Sequence, residues 1–139
     1  MLRTAPLAAP LLYSNRRTVT ALDRESGLPR WHFKAGSRVL RFLFALERVF
    51  VLDSNCVVYC LSPDDGRLLG SVAAAEASNW GAAMLAHDGC LYVATSAGVV
   101  ALTQDGSVLW RHESGEKGTD GVLPGLALPG SAVQPDLKE

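Results

Sequence analysis

The chain has 139 residues, the size of one ordinary domain and enough to bury a core without metals or disulfides. Its 48% hydrophobic and 19% charged content argues against disorder and leaves apolar surface for a partner to cover. With 13 Lys plus Arg against 14 Asp plus Glu, a net charge of -1 and basic residues scattered apart from Arg16-Arg17, no footprint for nucleic acid is present.

From the N-terminus, MLRTAPLAAPLL is apolar but broken by Pro6 and Pro10, too short and interrupted for a signal h-region. No run approaches the length of a membrane-spanning helix. The expectation is a soluble chain, cytoplasmic in location, without a membrane span. LLYSNRRTVTALD (Leu11 to Asp23) then gives two short apolar runs around a polar turn, and TALDRESGLPRW (Thr20 to Trp31) adds a Gly turn and a tryptophan. Runs of four to six residues rich in Val, Leu, Tyr and Phe and bounded by Gly, Asn, Asp or Ser have the strand and hairpin signature.

The pattern returns twice. The middle third has VFVLDSNCVVYCLS (Val49 to Ser62), then YCLSPDDGRLLG (Tyr59 to Gly70), with Gly66 at the turn and Gly70 in the tryptophan slot. Ala73 to Ala77 has helix-friendly composition but is cut off by Ser78-Asn79. The last third has LYVATSAGVVALT (Leu91 to Thr103) and VALTQDGSVLW (Val100 to Trp110). The turn glycines Gly27, Gly66 and Gly106 are 39 and 40 residues apart, and the first and third copies superpose without a gap at an offset of 80.

The third copy shows four expected strands, Gly81 to Ala86, Cys90 to Thr95, Val99 to Thr103 and Ser107 to His112. Asp88-Gly89 and Asp105-Gly106 mark hairpin turns, and Asp65-Gly66 does so in the second copy. Four antiparallel strands in about 40 residues make one β-propeller blade. The predicted fold is therefore all-β: three four-stranded blades at about 5–36, 37–75 and 76–115. A partial fourth follows at 119–133 (VLPGLALPGSAV, Val122 to Val133), within a single domain over 1–133, and 134–139 is a polar tail.

ALDRESGLPRW and ALTQDGSVLW resemble the repeat of the pyrroloquinoline-quinone-type (PQQ-type) propellers, whose blades carry an Ala-Leu-Asp stretch, a Thr-Gly-like turn and a Trp on the outermost strand. The paired Gly of Kelch and the Trp-Asp of WD40 repeats do not occur. The resemblance covers residues 5 to 133 and is degraded in the second copy, where Gly70 replaces Trp and Ser62 replaces Asp. It implies that Trp31 and Trp110 join blades, each indole covering the gap to its neighbour while its N–H reaches a backbone carbonyl. The missing Trp at position 70 implies a looser or differently covered junction. Trp80, just ahead of the third blade's inner strand, is expected by default to pack in the core, with a contact at the channel mouth or with a partner as the functional possibility.

The resemblance also raises quinoprotein dehydrogenase activity, but those enzymes are much longer and some use an adjacent-cysteine disulfide. Here Cys56, Cys60 and Cys90 are single, and Cys56 and Cys60, four apart on one strand side, are too distant to bridge. Buried free thiols are expected. His32, His87 and His112 lack metal-ligand spacing, GEKGTDG (Gly115 to Gly121) lacks the ending of a phosphate loop, and DSN (Asp53 to Asn55) and SPDDG (Ser62 to Gly66) are turn chemistry rather than calcium loops. No catalytic, cofactor-binding or metal residue and no cofactor is expected.

Three to four blades leave two open ends without polar caps, where propellers usually close with about four to eight blades. The expected role is a non-catalytic protein-binding or scaffolding module whose ring is completed by a second copy or by another protein; a fragment or relative of a PQQ-dependent dehydrogenase is the alternative. Family members scaffold outer-membrane protein assembly or act as sensors joined to kinases. The first use normally carries an early lipoprotein cysteine, absent before Cys56, and the second a partner domain that is absent here.

Overall fold

The computed structural model describes residues 9–74, 83–95, 97–113 and 125–133, all of them strand, turn or loop. Sheet one comprises β1 (Leu11–Asn15), β2 (Thr18–Leu22) and β3 (Pro29–Lys34), in that order. Sheet two is β4 (Val39–Ala45), β5 (Arg48–Asp53), β6 (Val57–Leu61) and β7 (Leu68–Ala73). Sheet three is β8 (Ala83–His87), β9 (Cys90–Thr95), β10 (Gly98–Leu102) and β11 (Val108–Glu113). A hairpin of β12 (Leu126–Leu128) and β13 (Ser131–Val133) packs beside β8. Every pairing is between sequence neighbours and antiparallel, the meander of a propeller blade.

The fold is thus all-β and a partial propeller. The first blade has three strands among the described residues where the repeat predicts four, and the position of a fourth falls on residues outside them. The third-blade strands start and end within one or two residues of expectation, apart from the start at Gly81, which lies outside the described residues.

The core lies between the sheets. On β5, Val49 and Val51 point towards the first blade and join Val19, Ala21, Trp31 and Leu61. Phe50 and Leu52 point the other way and join Val58, Cys60, Leu91, Val93, Val100 and Leu102. A strand buried on both faces has no polar face to present, which is why VFVL is an unbroken apolar run. At the ends of the stack the pattern changes. β1 alternates exposed and half-buried residues, and β11 is exposed along its whole length.

Turn chemistry sets the register. Asp88 and Gly89 both have positive φ, the type I′ geometry that matches strand twist. Leu46 and Glu47 do the same at the β4–β5 turn, without a glycine to signal it. A register shift recurs just before the third turn of each blade, between Ala21 and Leu22, Cys60 and Leu61, and Ala101 and Leu102. It makes the repeat equivalences explicit: Ala21 faces Trp31, Cys60 faces Gly70 and Ala101 faces Trp110.

One expectation is corrected. Cys56 is not on a strand with Cys60; it lies in the β5–β6 turn at φ 60°, its N–H donating to the Asp53 carbonyl at 2.9 Å. Asp53 organises that turn: its buried carboxylate accepts N–H groups of Asn55 and Val57 at 3.0 and 3.1 Å, leaving no conformational freedom for a strand at Cys56.

Candidate interaction surface

The described residues show two forms of blade junction and two blade faces without a neighbour. At the first junction Trp31, only 6% exposed, extends from β3 across to the second blade. Its Nε1–H donates to the Pro63 carbonyl at 3.0 Å, and its ring covers Gly66 so closely that a Cβ there would lie 2.6 Å from Cδ2. Gly66 has φ 74°, so glycine serves two needs at once, a left-handed turn and room for an indole.

At the second junction Gly70 stands in the tryptophan slot and Cys60 in the place of Ala21. The Cys60 Sγ–H donates to the Gln104 carbonyl at 3.4 Å, and Gln104 is the residue equivalent to Pro63, two after the last residue of the preceding strand. Burial pushes the Cys60 thiol up, against the pull of Arg48, so the sulfur keeps its proton and can act as this donor. The same S–H stands in for the missing indole N–H, and the Cys60 Cβ lies 4.0 Å from a Cβ position at Gly106. The junction is covered differently, not left open. Arg111 adds what no repeat position foretold: its guanidinium donates to the Ala74 and Ala73 carbonyls, both at 2.8 Å, tying β11 to the end of the second blade.

The paired exchange of Ala for Cys and Trp for Gly predicts strong coupling. Cys60→Ala alone is expected to destabilise by about 1–2 kcal/mol, and Gly70→Trp alone to cost more because the sulfur occupies the indole's place. The double variant rebuilds the first junction's pattern, so a denaturant double-mutant cycle is expected to show favourable coupling of about 1–3 kcal/mol. Additive losses would mean that Cys60 is not the replacement for the indole.

Trp110 occupies the same strand position as Trp31 but is 48% exposed, its ring 6.2 Å from that of Tyr92. Its neighbours Val108 and Leu109 are exposed too. On the opposite end Leu11 and Tyr13 are 57% and 52% exposed, and a Cβ at Gly27 would meet nothing within 4 Å. Of the residues singled out in the sequence, Trp31 and Gly66 come together in one junction, Gly106 lies in the other, and Trp110 and Gly27 lie at opposite open ends. Trp80 and the Gly115 to Gly121 loop lie outside the described residues.

Several of the described ionisable groups shape turns. Asp23 accepts backbone N–H groups of Glu25 and Ser26 and pairs with Arg30 at 3.1 Å, which lowers its pKa to about 2 and keeps the turn's acceptor ionised. Tyr59 donates to Asp53 at 2.8 Å and accepts from the Gly36 N–H at 2.9 Å; its pKa is raised by burial and then by the Asp53 charge. His32 is hydrogen-bonded to Thr20 and His87 lies 3.0 Å from the Asp88 carboxylate. None of the three cysteines is in a disulfide; Cys56 and Cys60 are buried and Cys90 half-buried. No group of three or more His, Cys, Asp or Glu side chains able to hold a metal occurs among the described residues. A cleft of about 1090 Å³ at the rim of the first two blades is lined by Arg30, Arg48, Arg67, Glu47, Asp64 and Phe44, charges of both signs. Among the described residues no helix is long and apolar enough to cross a membrane.

Residues 5–120 match the family model described as outer membrane protein assembly factor BamB, a PQQ-type repeat model. Among solved structures, BamB from Moraxella catarrhalis superposes with a TM-score of 0.65 at 19% identity, over 81% of this chain and 38% of BamB. A europium-containing methanol dehydrogenase gives 0.63 at 15% identity, over 77% of this chain and 23% of the enzyme. Citrobacter koseri AztD gives 0.64 at 12% identity, over 76% and 32%. This chain thus spans well under half the length of each. A search of curated proteins found no match.

Proposed function

From the premise that this chain belongs to the PQQ-type repeat family described by BamB, we propose that it is a non-catalytic protein-binding module that works by presenting open propeller faces to other folded chains. The observation that carries this reading is Trp110, a blade-joining tryptophan in sequence position that is 48% exposed where its counterpart Trp31 is buried. Large aromatic side chains flanked by exposed Val and Leu are the composition of protein interfaces. The name of the matched family, an assembly factor, supports a role in bringing proteins together. Another of the structural relatives, a methanol dehydrogenase, keeps the quinoprotein reading as the alternative.

One titration separates the two. A pyrroloquinoline quinone and calcium mixture, added at up to 100-fold over protein, is expected to leave the thermal midpoint unchanged. A specific ligand at 100 times its dissociation constant adds about 2.7 kcal/mol. A rise of several degrees in the midpoint overturns the non-catalytic reading. A photo-crosslinking amino acid in place of Leu109 is expected to form protein adducts that the same group at exposed Asp65 does not.

A further inference from the structure

We propose that the outer edge of β7 is a docking edge for an extended, uncharged strand of a partner protein, which pairs along it as a fifth strand of the second blade. The inference goes beyond the reading above, which concerns blade faces. The second blade has a sheet packed on each of its faces, so this edge belongs to a blade with both neighbours in place.

The pairing register fixes which backbone groups point outwards. The Ala74 N–H donates to the Cys56 carbonyl at 2.7 Å, and the ladder runs without a break from Ala73 opposite Val57 to Gly70 opposite Cys60. Alternate residues of an antiparallel pair bond to the partner strand, so Val72 and Gly70 bond to β6, while Ser71 and Ala73 direct N–H and C=O away from it. β7 is the last strand of its sheet, and nothing pairs with that side among the described residues. The Arg111 guanidinium on the Ala73 carbonyl at 2.8 Å agrees with this direction and marks where an added strand stops. The Ser71 N–H and C=O and the Ala73 N–H remain for an incoming chain.

The other two outer strands guard the same positions. On β3 the Ala35 N–H donates to the Arg17 carbonyl at 2.7 Å, beyond the Lys34–Thr18 pair, so His32 and Lys34 are the outward residues. Repeat equivalence puts Arg111 and Glu113 there on β11, and β3 also begins with Pro29. Charges and proline are how sheets prevent edge pairing. β7 reads LLGSVA and has neither; its nearest charge in sequence, Arg67, precedes the strand and pairs with Asp65 at 3.4 Å.

Propellers normally leave only short, protected edges. An unguarded one is a template for strand addition, in which main-chain hydrogen bonds supply affinity and side-chain pockets supply selectivity. Here a pocket adjoins the start of the strand: exposed Leu69 forms an apolar wall of the rim cleft with Phe44 and Pro63. A charged side chain set against β7 would meet no counter-charge on the strand, so the edge fits an uncharged, apolar occupant.

The test uses the full chain and a short fluorescein-labelled peptide of alternating threonine and valine. Its anisotropy is expected to rise with protein concentration over about 1 to 100 µM. Amide hydrogen exchange measured by NMR is expected to slow at Ser71 and Ala73 and to stay unchanged at His32, Lys34, Arg111 and Glu113. A peptide of the same length with prolines at its centre, which lacks the donors, is expected not to bind. Ser71→Lys places a guard at an exposed position. It is expected to stay folded by far-ultraviolet circular dichroism and to bind at least about tenfold more weakly, whereas Ser71→Thr binds like the wild type. No binding at about 100 µM, slowed exchange on β3 or β11 instead, equal binding of the proline peptide or unchanged binding to Ser71→Lys overturns the proposal. So does a peptide-free dimer in analytical ultracentrifugation that Ser71→Lys abolishes, because the edge then belongs to a second copy. None of these outcomes bears on the quinone titration or the crosslinks at position 109, so failure here leaves the protein-binding reading standing on its own tests.

Discussion

Trp31→Ala is expected to lower the unfolding free energy by about 3–5 kcal/mol, as the loss of a buried large aromatic does. The indole is almost completely enclosed by Val19, Ala21, Val49, Val51 and Leu61, residues from two sheets that are themselves fully buried. Rigid strands on both sides cannot close over the space it leaves. The Pro63 carbonyl also loses its donor, which adds roughly 1 kcal/mol. Trp110→Ala supplies the control. With its ring half exposed, the same substitution is expected to cost under about 1 kcal/mol in dilute monomer. Urea titration of both variants at low micromolar concentration checks the contrast, and equal losses would show that blade junctions do not carry the stability.

A second matched pair isolates the glycine turns. Gly66→Ala and Gly27→Ala place a methyl group at nearly the same positive φ, 74° and 76°. Both incur the left-handed penalty of about 1–2 kcal/mol. Only at position 66 does the new methyl collide with an indole, at Cε3 and Cδ2 of Trp31. Displacing that ring from a packed junction adds about 1–3 kcal/mol. Gly66→Ala is therefore expected to be the more destabilising by that amount, and to change the near-ultraviolet circular dichroism of the tryptophans. Gly27→Ala leaves that signal unchanged. Equal free-energy losses would place the whole cost in the backbone and none in the contact.

The repeat made much of this architecture readable. A period of 39 to 40 residues with strands of five to seven residues and Gly turns specifies blades, because a hairpin turn needs positive φ and a strand buried on both faces needs an unbroken apolar run. The Trp31 role could be inferred for the same reason, since the repeat places an indole on the outer strand. Other features had no local signal. Leu46-Glu47 forms a turn without Gly, Asn or Asp, held in register by the pairing of Ala45 with Arg48 on either side. Cys56 looked like a strand residue because it sits in an apolar run; the buried Asp53 carboxylate, gathering N–H groups from two later residues, takes the backbone out of the ladder there.

The second junction marks the boundary most clearly. Sequence comparison between the copies shows that Trp becomes Gly at position 70 and that Ala becomes Cys at position 60, ten residues apart and without evident connection. Strand pairing places them opposite each other, and blade stacking places the Gln104 carbonyl within reach of the Cys60 sulfur. By itself the sequence determined the blade and its turns and placed Trp31 and Trp110 in equivalent slots, because those depend on local periodicity and φ. Only the tertiary structure decided which blade faces are covered: Trp31 and Trp110 occupy equivalent places in equivalent repeats, and what separates a buried joint from an open surface is the sheet that lies, or does not lie, against each indole.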